Sequence, residues 1–331
     1  MALKNSQYNA IMRNYSEKQL KNKTALDARY EEVFTKLPEF AQLEDEISSF
    51  SVSQAKRLIL GEQGVLTSYR SRMTLLKERR KQLLASGNFP ADYLEMQYDC
   101  PHCQDTGYVG NEKCSCFIQE EIDLLYTQAN LKEILTRENF STFSTAYYSE
   151  KLTDPASSAT AFELANRALA QAHAFVEHFG TTYENLLLYG NTGVGKTFLT
   201  NCIAKELLDR RFSVLYFSSA TFFETLAKNT FEQHLDEEDT SSYIFNCDLL
   251  IIDDLGTEMT NSFVLSKFFD TINRRHLAGK STLISTNLSV EALKETYTER
   301  SSSRILGNYI LVKLIGNDIR IQKKLNHTQH E

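Results

Sequence analysis

Long apolar runs are missing from this 331-residue sequence. No run is long enough to cross a bilayer, and residues Met1 to Gln7 do not contain the apolar core of a signal peptide. We therefore expect a cytoplasmic protein with no membrane contact. Internal repeats and low-complexity tracts are also missing, and the 42% of hydrophobic residues can form a sizeable core in about two domains.

An excess of positive charge is missing as well. The formal net charge is −7, so the surface as a whole does not indicate nucleic-acid binding. Residues 1–99 carry 15 basic and 13 acidic side chains, whereas residues 100–331 carry 21 and 30. Any contact with DNA must therefore come from a local patch rather than from a long-range field.

Glycine and proline are scarce near the start of the chain. From Ser16 onward there is no glycine before Gly61, and Pro38 is the one proline up to that point. Apolar residues recur three and four positions apart among Lys, Glu and Gln, which predicts several amphipathic helices. The segment from Glu62 to Leu84 has basic residues opposite its apolar face. A solvated charged face is the simpler interpretation, and a partner-binding surface is the alternative.

Cysteine is uncommon, but four of the six cysteines lie close together in sequence. Cys100 and Cys103 form a C-x-x-C pair, Cys114 and Cys116 form a C-x-C pair, and a short glycine-containing segment separates the pairs. Two such pairs can close a tetrahedral Zn²⁺ site, so we expect a structural zinc ribbon with these four ligands. An iron-sulfur cluster, or His102 in place of one cysteine, is the alternative.

A glycine-rich segment matches the pattern G-x-x-x-x-G-K-[ST] and follows the apolar run Leu186 to Tyr189. Its backbone N–H groups and the helix that begins near Lys196 are suited to hold phosphates. Lys196 should reach the β- and γ-phosphates, and Thr197 should bind Mg²⁺. The residues expected to bind nucleotide are Gly190, Asn191, Thr192, Gly193, Val194, Gly195, Lys196 and Thr197.

Strand and helix patterns alternate after this loop, as in a parallel α/β sheet. A helix is predicted before the loop at 159–179, and further helices after it at 221–228 and 262–277. The predicted strands after the loop are 213–217, 248–252, 281–285 and 310–314.

The apolar run Leu249 to Ile252 ends in two carboxylates, Asp253 and Asp254. This is the pattern of a Walker B element, in which a buried strand opens beside the phosphate loop. We expect Asp253 to hold the Mg²⁺ shell and Asp254 to act on the attacking water as base or polariser.

Residues from about 185 onward resemble AAA+ ATPases. The segment 251–258 is similar to that of the DnaC/DnaI-type replicative helicase loaders and of their IstB-like relatives, which assist transposases. The motif Cys-x-x-Cys-x-Asp-Thr-Gly-Tyr that begins at Cys100 is similar to that of DnaI-like loaders. The resemblance implies that Asn287 is sensor 1, that Arg320 is sensor 2 and that Arg304 is the arginine finger. Arg300 is the alternative finger. The chain departs from most AAA+ proteins in having Asp254 where glutamate is usual.

The resemblance also implies a function, namely that of a loader which uses ATP, Mg²⁺ and Zn²⁺. It would bind a hexameric replicative DNA helicase and help to place it on single-stranded DNA, and it would self-associate through its ATPase domain. An IstB-like transposition helper is the alternative, and an adaptor that binds nucleotide without turnover is a third possibility. Phe222 and Phe223 are a candidate surface for stacking DNA bases, unless they belong to the core.

The expected domain organisation has four parts. They are a helical partner-binding region at 1–97, a zinc-binding module with the following helix at 98–140, a linker at 141–158 and an AAA+ ATPase domain at 159–331.

Overall fold

The computed structural model describes residues 5–60, 62, 64–126, 129–231 and 241–328. None of the helices in these ranges is long and apolar enough to cross a membrane. By packing, the described residues divide into two units. Residues 12–107 form the helical unit, and residues 5–11 together with 108–328 form the sheet unit.

Three long helices dominate the first part of the chain, as the sequence predicts. They are α1 (Asn5–Lys36), α2 (Pro38–Ile59) and α3 (Val65–Ser86). Pro38 occupies the first turn of α2, where the missing N–H leaves no broken hydrogen bond. Val33, Phe40, Leu84 and Leu94 form the buried core of this unit.

Two arginines on the basic face of α3 form ion pairs within the helical unit. Arg72 and Arg80 each place a guanidinium nitrogen 2.6 Å from a glutamate of α2, Glu46 and Glu44 respectively. Arg80 also donates to the hydroxyl of Tyr30 on α1 at 3.1 Å. These ion pairs therefore help to align the three helices, although exposed pairs of this kind contribute only about 0–1 kcal/mol each.

A small hairpin and two helices follow. The strands β1 (Tyr108–Val109) and β2 (Glu112–Lys113) pair antiparallel, and α4 (Ser115–Tyr126) and α5 (Ala129–Arg137) come next. After α5, residues Thr145–Tyr147 form a 3-10 turn. Tyr148 and the neighbouring aromatic side chains pack on the core of the sheet unit. This segment was expected to be a linker, yet it lies against the fold that follows it.

The central sheet has five parallel strands in the order β4-β5-β6-β3-β7. The strands are β3 (Leu186–Gly190), β4 (Val214–Ser218), β5 (Leu249–Leu255), β6 (Ser281–Thr286) and β7 (Ile310–Leu314). The helices around it are α6 (Ala161–His178), α7 (Lys196–Asp209), α8 (Ser219–Phe231), α9 (Ser241–Asn246), α10 (Ser262–Leu277), α11 (Val290–Thr296), α12 (Glu299–Asn308) and α13 (Ile319–Thr328). The expected parallel α/β sheet with flanking helices is therefore confirmed.

The strands are buried on both faces because helices cover both sides. Leu249 and Ile251 of β5 pack in the cluster that contains α6 and α7. Leu250 and Ile252 point the opposite way, into the cluster that contains α8 and α10. Successive strand residues thus alternate between two cores, which explains the unbroken apolar run in the sequence.

The candidate base-stacking surface on α8 is part of the second core. Phe222 and Phe223 are 0% and 5% exposed, and their rings contact each other edge-on. A stacking role for these two rings is therefore wrong, since neither presents a face to solvent. The acidic run 236–239 lies outside the described residues.

Candidate nucleotide site

The loop that follows β3 has the tight backbone that the glycine pattern predicts. Gly190 has a φ of 138°, and a Cβ there would lie 1.8 Å from the carbonyl oxygen of Leu314 on β7. Gly193 has a φ of 76°, and a Cβ there would lie 2.1 Å from the carboxyl carbon of Asp318. Both positions therefore exclude a side chain, and the second brings the loop against the start of α13.

Lys196 begins α7 and lies at the centre of the site. Its ammonium donates to the carbonyl oxygens of Gly190 at 2.9 Å and Asn191 at 2.7 Å, and to Oδ1 of Asn287 at 2.7 Å. Asn287 follows β6, the strand between β3 and β5 in the sheet. The strand order therefore places the predicted sensor 1 residue beside the predicted phosphate-binding lysine.

Asp253 is held by three hydroxyl groups from three different elements. Thr197 of α7 donates to Oδ1 at 3.3 Å, and Ser285 of β6 donates to the same oxygen. Tyr216 of β4 donates to Oδ2 at 2.8 Å. The side chain of Asp253 is only 7% exposed, so these bonds fix its direction. Tyr216 and Ser285 were not predicted from the sequence, because contacts between strands carry no local signal.

Asp254 faces the same cavity as Asp253 and approaches Asn287. The side-chain amide of Asn287 lies 3.5 Å from Oδ1 of Asp254, while its carbonyl oxygen accepts from Lys196. Asn287 thus links the predicted phosphate-binding cation to the predicted catalytic carboxylate. This geometry suits a side chain that orients a water between the two.

The surroundings of Asp254 and of Lys196 shift the pKa of each group. Burial raises the pKa of Asp254, the neighbouring charge of Asp253 raises it further, and the cations Lys196 and Arg320 oppose both effects. Burial lowers the pKa of Lys196, against the attraction of the two carboxylates. A raised pKa makes Asp254 a stronger proton acceptor than an ordinary aspartate, which fits the role of a base.

These groups line one cavity of about 480 Å³. Its polar end is formed by the loop, Asp253, Asp254 and Asn287. Aromatic side chains from the preceding segment form another part of the wall, which suits a nucleobase. The aromatic residues of that segment, which the sequence analysis missed, are Phe143, Tyr147 and Tyr148, and Phe198 of α7 adds a fourth ring to the lining.

Tyr148 connects this wall to the phosphate loop. Its hydroxyl donates to the carbonyl oxygen of Val194 at 2.7 Å, and its ring is 5% exposed. Burial raises the pKa of Tyr148 well above its ordinary value, so the phenol stays protonated and keeps donating. Lys323 of α13 lies over the rings of Tyr147 and Phe198, at 5.3 Å and 5.7 Å from their centres.

The three predicted arginines lie in different places. Arg320 lines the cavity, and its Nε lies 3.5 Å from Oδ1 of Asp318. Arg304 and Arg300 lie instead around a separate open depression of about 490 Å³, together with Phe269, Ser303 and Asn308. The structure thus brings Arg320 into the site and keeps Arg304 and Arg300 outside it.

The donor set fits a nucleotide with Mg²⁺. Mg²⁺ prefers oxygen ligands at about 2.0–2.1 Å in an octahedron, which places neighbouring ligands about 3 Å apart. Thr197 Oγ1 and Asp253 Oδ1, at 3.3 Å, nearly meet this spacing. Lys196 and Arg320 supply positive charge for the phosphates at the same end of the cavity.

The four predicted zinc ligands come together. The sulfur atoms of Cys100, Cys103, Cys114 and Cys116 all lie within 4.8 Å of one another. Ligands at about 2.3 Å in a tetrahedron are about 3.8 Å apart, so the cluster has the size of a Cys₄ zinc site. The backbone N–H of Gly107 also lies 3.3 Å from Sγ of Cys103, a contact that stabilises a thiolate.

A buried aspartate shapes the first cysteine pair. Asp105 is 0% exposed and has a φ of 59°. Its carboxylate accepts from the backbone N–H groups of Asp99 at 2.9 Å and Cys100 at 2.7 Å, and from the amide of Asn22 at 2.9 Å. These bonds hold the turn between the two cysteines in place and connect it to α1.

Comparison with known proteins shows relatives among replication ATPases. Residues 161–310 match the family model of the bacterial DnaA ATPase domain. The chain is 40% identical over 143 residues to the chromosomal replication initiator protein DnaA of Roseiflexus castenholzii, a match that covers 41% of this chain and 28% of that protein. It is 31% identical over 147 residues to the replicative helicase loader DnaC of Escherichia coli, covering 44% of this chain and 60% of that protein.

Solved structures give similar matches. The crystal structure of DnaI aligns with a TM-score of 0.45 and 25% identity, over 56% of this chain and 94% of that one. The chain spans less than a third of the length of the DnaA relative and three fifths of that of DnaC. Residues 161–310, which match the family model, lie within the sheet unit that carries the cavity. This chain therefore contains a domain similar to the ATPase domain of the bacterial DnaA initiators, and it is similar over part of its length to the helicase loader DnaC.

Proposed function

We propose that this protein is an ATP-dependent loader that binds a hexameric replicative DNA helicase and helps to place it on single-stranded DNA. The observation that carries the proposal is the 31% identity to a replicative helicase loader, which spans 60% of that protein. The cavity supports the ATP-dependent part, because it combines a phosphate loop with paired carboxylates and a positioned lysine.

The proposed chemistry assigns a role to each residue in the cavity. Lys196 and Arg320 bind the phosphates, Thr197 and Asp253 hold the Mg²⁺ ion, and Asn287 and Asp254 act on the attacking water. Mg²⁺ would neutralise charge that develops on the phosphates. The raised pKa of Asp254 supports its role as base, and the contact of Asn287 with both Lys196 and Asp254 supports its role in orienting the water.

Arg304 is proposed to act on the site of a second copy. It lies outside its own cavity, in the depression that also contains Arg300 and Phe269. An arginine that stabilises the transition state must approach the γ-phosphate, so Arg304 can do this only from a neighbouring subunit. ATP would then favour self-association through the ATPase domain, which we propose at residues 159–331, and hydrolysis would release the partner.

The remaining parts of the chain are proposed to serve recognition. Residues 1–97 would dock on the helicase, because the nucleotide cavity is lined by residues from Glu138 onward and these helices are left for another role. Residues 98–140 would form the zinc-binding module, with the cysteine cluster as its structural centre. The sulfur ligands would fill all four positions of Zn²⁺, which suits a structural ion rather than a catalytic one.

A role closer to that of an initiator is the second candidate. It is favoured by the match to the DnaA ATPase domain and by the 40% identity to one DnaA protein. That identity covers only 28% of the relative, so most of that DnaA protein lies outside the match.

The two candidates are separated by what the purified full chain binds. We expect it to co-elute with the replicative helicase of the same cell on size exclusion, and to do so more strongly with ATP than with ADP. Binding to duplex origin DNA without any interaction with the helicase would favour the initiator. Co-elution with a transposase instead would favour an IstB-like helper.

A further inference from the structure

Asp253 and Asp254 are adjacent in β5, yet both line the cavity. In a regular strand, neighbouring side chains point to opposite faces of the sheet. Asp253 follows the alternation, because it lies on the α7 face with Leu249 and Ile251. Asp254 should therefore point to the α10 face, away from the nucleotide site.

A bulge in β5 removes this conflict. Ile252 pairs with Ile284 and Leu255 pairs with Thr286, so the two aspartates together oppose the single residue Ser285. Leu255 packs on the same face as Ile252, although the two residues are three positions apart. One extra residue has thus been inserted into β5, and the inserted residue is the predicted catalytic carboxylate.

The inserted residue has an unusual backbone. Asp254 has a φ of 56°, in the left-handed region that side chains other than Gly, Asn and Asp rarely adopt. The following Gly256 has a φ of 99°. Such a conformation persists only where the surroundings fix it, so each hydrogen bond to the Asp254 backbone matters for the direction of its side chain.

Three hydroxyl groups form hydrogen bonds with the backbone N–H and carbonyl oxygen of Asp254. The N–H of Asp254 donates to Oγ of Ser285 at 3.0 Å. Its carbonyl oxygen accepts from Oγ of Ser219 at 3.1 Å and from Oγ1 of Thr257 at 2.9 Å. The last two hydroxyls are also 3.0 Å from each other, and Ser219 is 0% exposed.

We propose that Ser219 and Thr257 are positioning residues for ATP hydrolysis, which hold Asp254 in its left-handed conformation so that its carboxylate faces the nucleotide cavity. Neither residue lines the cavity, so they act only through Asp254. The inference rests on the proposed ATPase function. It also gives a physical reason for aspartate at this position, since aspartate enters the left-handed region more readily than glutamate does.

The test compares the purified full-length protein with variants that lack these hydroxyls. In Ser219→Ala combined with Thr257→Val, kcat should fall about 10-fold or more while KM for ATP stays near its wild-type value, because small misplacements of a catalytic group cost up to about 100-fold. Thr257→Ser retains the hydroxyl and should keep kcat. The control is Thr225→Val, which removes a 2.8 Å hydroxyl bond to the carbonyl oxygen of Thr221 within α8 rather than to Asp254, and it should leave kcat unchanged.

An Asp254→Asn background tests whether the hydroxyls act through Asp254. In that background the double change should cause no further loss of kcat, because the group it positions has already been disabled. A further loss of the same size would overturn the proposal, as would full kcat in the double variant alone.

A crystal structure of the double variant gives a readout that needs no activity. We expect φ of residue 254 to leave the left-handed region and the carboxylate to turn from the cavity. An unchanged conformation would overturn the proposal. Absence of ATP hydrolysis by the wild-type protein would instead refute the proposed function, and the structure of the double variant would still decide what positions Asp254.

Discussion

The hydroxyl of Tyr216 donates a 2.8 Å hydrogen bond to Oδ2 of Asp253, across the paired strands β4 and β5. The bond leaves Oδ1 of Asp253 directed at Thr197, its proposed partner in binding Mg²⁺. Burial and the nearby Asp253 carboxylate raise the pKa of Tyr216 well above its ordinary value, so this phenol remains a donor throughout the neutral range.

Tyr216→Phe should therefore weaken the Mg²⁺ site without removing a ligand. We expect the Mg²⁺ concentration that gives half-maximal ATPase activity to rise about 10-fold, as is common when a partner of a metal ligand is lost. Tyr183→Phe removes a phenol that bonds to Asn185, outside the cavity, and serves as the control. A lower melting temperature with unchanged Mg²⁺ dependence would show that the Tyr216 hydroxyl is only structural.

Lys196→Ala should reduce ATP turnover at least about 100-fold, because positive charge aimed at the phosphates is a large part of catalysis in such sites. The fold should persist, and circular dichroism and the melting temperature report this. Lys205→Ala is the matched control, since Lys205 is on the same helix and pairs with Asp209 outside the cavity. Turnover at the wild-type rate in Lys196→Ala would refute the assignment of the phosphate loop.

Replacing Cys100 and Cys103 together by serine should release the metal. We expect about one Zn²⁺ per chain in the unaltered protein and none in the variant, measured by elemental analysis of the dialysed protein. Cys202→Ala should retain zinc, because Cys202 is a buried residue of α7 and does not belong to the cysteine cluster. A protein without zinc, or one with visible absorption typical of iron and sulfur, would contradict the zinc assignment.

The lowered pKa of the Asp248 carboxyl predicts that the stability of the folded protein depends on pH. Burial raises the pKa of its carboxyl, but the hydrogen bonds from Ser213 and the ion pair with Lys280 outweigh burial, so the net pKa lies below the ordinary value of 3.8. The folded state therefore binds this proton less readily than the unfolded state. The stabilisation is complete above the unfolded pKa and is lost as the pH falls through the folded pKa.

Asp248→Asn should lower the free energy of unfolding at pH 7 by about 1.5–3 kcal/mol, the range for hydrogen bonds to charged groups. The difference from the wild-type protein should shrink below about pH 4, as urea unfolding at several pH values can measure. Asp270→Asn is the control, because Asp270 lies 3.7 Å from Arg274 in an exposed pair that contributes little. A difference that is constant from pH 7 to pH 3 would contradict the shifted pKa.

Phe222→Ala should destabilise the sheet unit by about 3–5 kcal/mol, since its ring is completely buried and leaves a cavity. Thermal unfolding measures this effect. Thr221→Ala, which changes an exposed residue on the same turn, should have a small effect. A Phe222→Ala variant with an unchanged melting temperature and weaker binding to single-stranded DNA would instead support stacking of DNA bases on Phe222.

The sequence predicted the candidate site best where the functional residues are close together along the chain. The phosphate loop, the two aspartates at the end of β5 and the paired cysteines are local patterns, because backbone geometry and ligand chemistry demand particular residues at fixed spacing. The predicted helix at 262–277 and the predicted strand at 310–314 have the bounds of α10 and β7, since their apolar periods are undisturbed.

Other features depend on pairing between distant segments. Tyr216 and Ser285 reach Asp253 only because β4 and β6 flank β5, and strand order has no signature in a short stretch of sequence. Tyr148 was placed in a linker, yet a hydrogen bond to Val194 joins it to the phosphate loop. Phe222 and Phe223 could have been surface or core residues, because an amphipathic helix does not reveal which partner covers its apolar face.

At Asp254, the local sequence and the tertiary structure each determine a different property of the side chain. By itself the sequence determined that a second carboxylate follows Asp253 at the end of a buried strand, because an apolar run must end where polar groups reach solvent. Only the tertiary structure decided that this carboxylate faces the nucleotide cavity. That direction depends on an inserted residue opposite Ser285 and on hydroxyls from α8 and from the turn after β5, which meet only when the chain has folded.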